Sequence, residues 1–96
     1  MDKEMKELAK ELVNLHKVIV QQTLLIVEPE VERIIKTKSK DINAIEHALD
    51  ALCEVAFDAE VLLLFKKLCR YYYTIDPKAT IEQIHFYRYL WGSDKD

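Results

Sequence analysis

The chain contains a single glycine, Gly92, among its 96 residues, and this scarcity limits the possible folds more than any other feature. Glycine supplies the positive φ angles of tight hairpin turns, so a strand-and-turn architecture is disfavoured. Phosphate-binding loops need two glycines at fixed spacing and dinucleotide-binding turns need three, because the backbone must approach the phosphates closely. We therefore exclude both nucleotide sites and expect a helical chain.

Length and composition indicate one domain over residues 1–96. The two cysteines, Cys53 and Cys69, are too few for a disulfide scaffold and favour a reducing compartment. The N-terminus is charged throughout and does not resemble a signal peptide. The longest apolar stretch, Val18 to Val27, is about half of a membrane span. We expect a cytoplasmic protein with no membrane association.

The first predicted helix runs from about Asp2 to Val27 and carries two apolar stripes. A heptad stripe follows the spacing of a coiled coil and is the predicted core face, with Gln22 in its one missing position: Met5, Leu8, Leu12, Leu15, Ile19 and Ile26. A second stripe lies about 100° around the helix: Ala9, Val13, Val20, Leu24 and Val27. One partner face cannot cover both stripes.

Pro29 is expected either to kink the first helix or to break it and begin a short helix to about Lys36. The polar residues 36–41 are the predicted linker. The second helix spans about Ile42 to Phe57 behind the cap Asp41. Its predicted core face is Ile42, Ile45, Leu49, Leu52 and Ala56.

The third helix is predicted to begin after the cap Asp58 and to run to about Thr74. Its predicted core face is Val61, Leu64, Phe65, Leu68, Tyr72 and Ile75. Asp76 and Pro77 indicate a cap and first turn of a fourth helix. This helix is expected to end near Trp91, with Gly92 as a left-handed cap. The predicted fold is an all-α antiparallel bundle of four to five helices, with residues 92–96 as a disordered tail.

No constellation of residues indicates catalysis or metal binding. Glu82 and His85 form one Glu-x-x-His half-motif where a di-iron site needs two and further glutamates. His47, Asp50 and Glu54 share one helix face, which is typical of a solvated strip. The serines Ser39 and Ser93 lie in the linker and the tail, and Cys69 lies within the third helix. We expect no enzyme activity, metal or cofactor.

The third helix has a basic face with aromatic and apolar neighbours. Residues 59–91 hold 5 Lys or Arg against 3 Asp or Glu, although the whole chain has a net charge of −3. Such a face fits an acidic protein partner, or phosphates and stacked bases of a nucleic acid. The residues of this basic face are Leu63, Lys66, Lys67, Arg70 and Tyr73.

The surplus apolar surface of the first and fourth helices predicts a homodimer, since symmetric dimers are the commonest oligomers. The expected contacts are the second stripe of the first helix and the outer stripe of the fourth: Val13, His16, Val20, Leu24, Phe86 and Leu90. Taken together, the sequence favours a small non-catalytic protein–protein interaction or accessory protein. The alternative is a nucleic-acid-binding accessory protein that uses the basic face.

Overall fold

A computed structural model describes residues 2–92, and within this range the chain forms four α-helices. They are α1 (Asp2–Lys36), α2 (Ile42–Cys53), α3 (Ala59–Tyr73) and α4 (Pro77–Trp91). α1 packs against α2 and α3, α2 packs against α3, and α4 packs mainly against α3. The predicted all-α helical bundle is confirmed. None of the helices within residues 2–92 is long and apolar enough to cross a membrane.

α1 continues through Pro29 to Lys36, which excludes the break that was one of the two alternatives at Pro29, and the helix extends past the end predicted near Val27. Pro29 lacks the N–H that would bond to the carbonyl of Leu25, but both residues are exposed and water can satisfy that carbonyl. The buried residues Val27 and Val31 hold the helix in the bundle on either side of the proline. Tertiary packing therefore outweighs the local cost of the proline.

The core lies where α2 and α3 meet the C-terminal half of α1. Tyr72 is fully buried there, and its hydroxyl donates a 2.6 Å hydrogen bond to Oε2 of Glu46 on α2. Tyr71 donates a 2.6 Å hydrogen bond to the carbonyl of Ser39 and ties α3 to the linker after α1. The fully buried aliphatic residues come from all three helices: Val31, Ile34, Ile45, Leu49, Leu52, Val61 and Leu68.

The heptad stripe of α1 does not form the core face that its spacing predicts. Its members are exposed, with 67% of Met5 and 73% of Ile26 accessible, whereas Val20 and Val27 of the second stripe are buried. Helix length explains part of this difference. The 35 residues of α1 span about 52 Å, against about 18 Å for α2 and 22 Å for α3, so much of α1 extends past its partners.

Aspartate caps begin three helices as predicted. Asp41 accepts from the Ala44 N–H, Asp58 from the Glu60 and Val61 N–H groups, and Asp76 from the Ala79 N–H. The predicted end of the second helix is wrong, because α2 stops at Cys53 and turns follow to residue 57. Ile42 is also exposed rather than buried, since it occupies the first position of α2, at the edge of the packed surface.

The single glycine does not form the left-handed cap that its position suggested. Gly92 has φ −72° and ψ 136°, and its N–H donates to the Arg88 carbonyl at 2.8 Å. A Cβ at this residue would lie 2.5 Å from that oxygen, so the close backbone approach is what requires glycine. The predicted tail extends beyond Gly92 into residues 93–96, outside the described range.

The left-handed cap lies instead at Lys38 (φ 52°), after α1. The Ser39 N–H donates to the Ile34 carbonyl at 2.9 Å, and the Lys38 N–H donates to the Ile35 carbonyl at 3.2 Å. This pair of bonds is the Schellman pattern that satisfies the last helical carbonyls. α1 therefore ends through backbone hydrogen bonds at a residue whose side chain gives no signal for a left-handed conformation.

Candidate interaction surfaces

The first candidate surface is the N-terminal half of α1. Every residue from Asp2 to Ile19 is exposed along about 27 Å of helix, although His16 near its end contacts Phe57. Apolar side chains occupy this segment at the 3–4 spacing of a coiled coil. Those of the heptad stripe within it are Met5, Leu8, Leu12, Leu15 and Ile19.

The heptad stripe lies to one side of the face that α1 buries. At 100° per residue, Ile19 lies about 80–100° from the buried Val20 and Val27, so the stripe is next to the packed face and not within it. Because the N-terminal half of α1 extends past α2 and α3, a second helix could lie along the stripe there. Val18 and Leu25 widen the exposed apolar surface along one edge of the stripe.

The six residues predicted for self-association separate into two groups. Val20 is only 8% exposed and Leu24 is half-buried, so the chain's own core already uses them, which corrects their assignment as free contacts. Val13 and His16 are exposed and line a shallow cleft beside Phe57 together with those two residues. On α4, Phe86 and Leu90 remain exposed.

A row of aromatic rings links α1 to α4 across the connection between α2 and α3. The Phe57 ring contacts the His16 ring, with centroids 5.6 Å apart, and the Trp91 ring, with centroids 5.5 Å apart. Trp91 Nε1 also donates a 2.7 Å hydrogen bond to the Cys53 carbonyl at the end of α2. The C-terminal end of α4 is therefore fixed against α2 and the turn after it.

The predicted basic face is divided between two clefts on α3. Lys66, Arg70 and Tyr73 line a groove of about 450 Å³ between α3 and α4, to which α4 contributes Arg88. Lys67 and Leu63 line a separate cleft on the α1 side. The residues predicted to act as one face thus belong to two different surroundings.

The two clefts differ in charge. The cleft beside Lys67 also contains Glu28 and Glu60, whereas the lining of the α3–α4 groove contains Lys66, Arg70 and Arg88 and no acidic residue. Within residues 2–92 the one salt bridge is that of Arg33 with Glu30, so none of the three groove cations forms one. The hydrogen bond from the Arg33 guanidinium lowers the pKa of Glu30. Both residues are on α1 and do not line the α3–α4 groove.

The cysteine of the groove is not set up as a nucleophile. Cys69 is buried, and burial raises the pKa of its thiol to about 11, so the thiol is protonated at neutral pH. Cys53 is also a free, buried thiol whose pKa is raised by burial. Glu82 and His85 are exposed on α4, and residues 2–92 contain no cluster of three or more His, Cys, Asp or Glu side chains placed to hold a metal ion.

Sequence reasoning missed two features of these surfaces. It identified the heptad stripe but assigned it to the core, because periodicity shows which residues share a face and not what that face contacts. It also left Arg88 out of the basic face, since Arg88 lies on another helix. Its position four residues after Ile84 places both on one face of α4, but no sequence signal shows that this face meets Lys66 and Arg70.

Comparisons with known proteins add no relative. No protein-family model matches the chain, no curated protein matches it, and no solved structure matches it.

Proposed function

We propose that this protein is a small non-catalytic interaction protein that works as a homodimer, with the heptad stripe of α1 as its self-association surface. The observation that carries the proposal is the exposed coiled-coil stripe along a helix segment in which every residue from Asp2 to Ile19 is exposed. Burying a leucine side chain fully is worth roughly 2 kcal/mol, so pairing of half-exposed side chains from two copies is a substantial driving force.

The charges beside the stripe fit a second copy of the same helix in parallel alignment. In that arrangement Glu11 of one helix faces His16 of the other, and Glu4 faces Ala9, so no like charges meet. The lysines of this segment lie on the far side of the helix from the stripe. Gln22 would meet its own equivalent, where two amides can hydrogen bond and favour one register.

Analytical ultracentrifugation over a concentration series tests the proposal. The expected result is a dimer of 11.3 kDa chains that Leu12→Glu converts to monomer, because a charge in the stripe would be buried without a partner. Asn14→Glu is the matched control: it adds the same charge on another side of α1 and should leave the dimer intact.

Circular dichroism establishes that both variants keep the helical bundle. A wild-type chain that stays monomeric at high micromolar concentration contradicts the proposal, as does a dimer that tolerates Leu12→Glu. In the latter case, charged replacements of Phe86 and Leu90 show whether α4 supplies the contact instead.

A further inference from the structure

The α3–α4 groove has the size and the wall of a small-molecule site. Its volume of about 450 Å³ falls within the roughly 300–1,000 Å³ that ligand pockets occupy. Phe65 from α3 and Tyr87 from α4 contact each other across it, with ring centroids 5.6 Å apart, and Ile84 adds an aliphatic side chain. Because Phe65 is buried and Tyr87 half-buried, this apolar wall is held by the bundle itself.

Three cations surround this apolar wall. Lys66 and Arg70 are one helical turn apart on α3, and Arg88 reaches the groove from α4. All three are exposed, none forms a salt bridge within residues 2–92, and no acidic side chain lines the groove. A site with apolar walls and uncompensated positive charge is complementary to a ligand with an apolar body and a negative group.

We propose that the α3–α4 groove binds a small amphipathic anion, a carboxylate attached to an apolar, ring-sized body. The body lies against Phe65, Ile84 and Tyr87, while Arg70 and Arg88 hold the carboxylate through charge-assisted hydrogen bonds. Binding is reversible, and the Cys69 thiol of the groove is not activated to attack the ligand, since it is protonated at neutral pH. Self-association through the heptad stripe is a separate property of another surface.

Isothermal titration calorimetry of the full chain with 2-naphthoate tests the ligand class. Naphthalene-2-methanol, which lacks the charge, and acetate, which lacks the apolar body, are the comparison ligands. We expect 2-naphthoate to bind at least tenfold more tightly than either one. Amide chemical shifts in NMR spectra should move for residues of α3 and α4 that line the groove and not for the N-terminal half of α1.

Charge variants on neighbouring positions locate the site. Arg70→Gln and Arg88→Gln should each weaken 2-naphthoate binding by about tenfold, because a charge-assisted contact is lost. Lys67→Gln removes a positive charge from α3 outside the groove, and should change affinity less than twofold. All three residues are exposed, so the bundle is expected to stay folded, which circular dichroism checks.

Three results would overturn the proposal. The first is no heat of binding at millimolar 2-naphthoate, and the second is equal affinity for the uncharged alcohol, which indicates a nonspecific apolar patch. The third is an equal loss of affinity in Lys67→Gln and Arg70→Gln, which indicates one extended basic surface. That last outcome would favour the acidic protein or nucleic-acid partner instead.

Discussion

The two halves of α1 both carry apolar residues at helical spacing but have very different surroundings. From Asp2 to Ile19 every residue is exposed, whereas Val20, Val27, Val31 and Ile34 in the following half are buried against α2 and α3. The difference therefore comes from the length of the partners and not from the pattern along α1.

This difference separates two sources of helix stability. The C-terminal half is stabilised by tertiary packing, which supplies most of the stability of helices in proteins. The N-terminal half depends mainly on its own hydrogen bonds and its continuity with the packed half, with the His16–Phe57 contact near its end. A stretch of this kind with an exposed coiled-coil stripe gains stability from any second helix that covers it, which is why the comparison leads to the dimer proposal.

The largest expected effect on the free energy of unfolding comes from replacing a buried isoleucine of α1, compared with the same replacement at an exposed isoleucine. Ile34→Ala should lower the free energy of unfolding by about 2–5 kcal/mol, because Ile34 is 0% exposed and its loss leaves a cavity. Ile26→Ala removes the same atoms from a side chain that is 73% exposed, and should cost less than about 1 kcal/mol in the monomer.

Urea unfolding followed by circular dichroism measures both values, at a concentration where ultracentrifugation finds monomer. Equal losses for the two variants would mean that the chain itself covers Ile26, and the contrast between the halves would disappear. A cost for Ile26→Ala that grows with protein concentration would instead place Ile26 within the dimer contact.

Alkaline pH is expected to have an intermediate effect on the free energy of unfolding. The group responsible is Cys69, which lies in the core against which the C-terminal half of α1 packs. Burial raises the pKa of Cys69 from 9.0 to about 11, so the folded chain favours the protonated thiol. This preference for the protonated thiol stabilises the folded chain fully below pH 9. As pH rises from 9 towards 11 the free energy of unfolding falls, by on the order of 2 kcal/mol.

Urea unfolding at several pH values between 9 and 11 checks this dependence. In Cys69→Ala the free energy of unfolding should fall less steeply with pH than in the wild type. The smaller side chain also lowers stability, but by the same amount at every pH. Parallel curves for the two proteins would contradict the prediction. Tyr72 adds to the loss above pH 10, since burial and its bond to Glu46 raise the pKa of its hydroxyl as well.

The smallest expected change in stability comes from removing part of the exposed half. A chain that begins at Val13 after an initiating methionine keeps His16 and its contact with Phe57. Its free energy of unfolding as a monomer should differ from that of the full chain by less than about 1 kcal/mol, because the removed residues contact nothing in the core. The dimer should be lost, and ultracentrifugation together with urea unfolding measures both outcomes.

Local chemistry accounts for the parts of the fold that the sequence predicted. The aspartate caps at Asp41, Asp58 and Asp76 depend on short side chains bonding to N–H groups two or three residues away, so they can be read from neighbouring residues. The buried face of α3 was also predicted correctly, because only one face of that helix is continuously apolar: Val61, Leu64, Phe65, Leu68 and Tyr72.

Other features depend on contacts between distant residues. Two stripes of similar hydrophobicity run along α1, and the side on which α2 and α3 pack decides which one is buried. The α3–α4 groove joins Arg88 to Lys66 and Arg70, which are about twenty residues away in the sequence. No spacing rule within one helix connects these positions, so only half of that site was visible beforehand.

The position of Trp91 gives the molecule a built-in optical reporter. It is the single tryptophan of the chain, and its indole is held by the Cys53 carbonyl and the ring of Phe57, which in turn contacts His16. Its emission spectrum therefore depends on how the ends of α2 and α4 meet beside α1. Light absorbed at this one residue reports on the junction of those helices without any attached dye, and separately from the helix content of the chain.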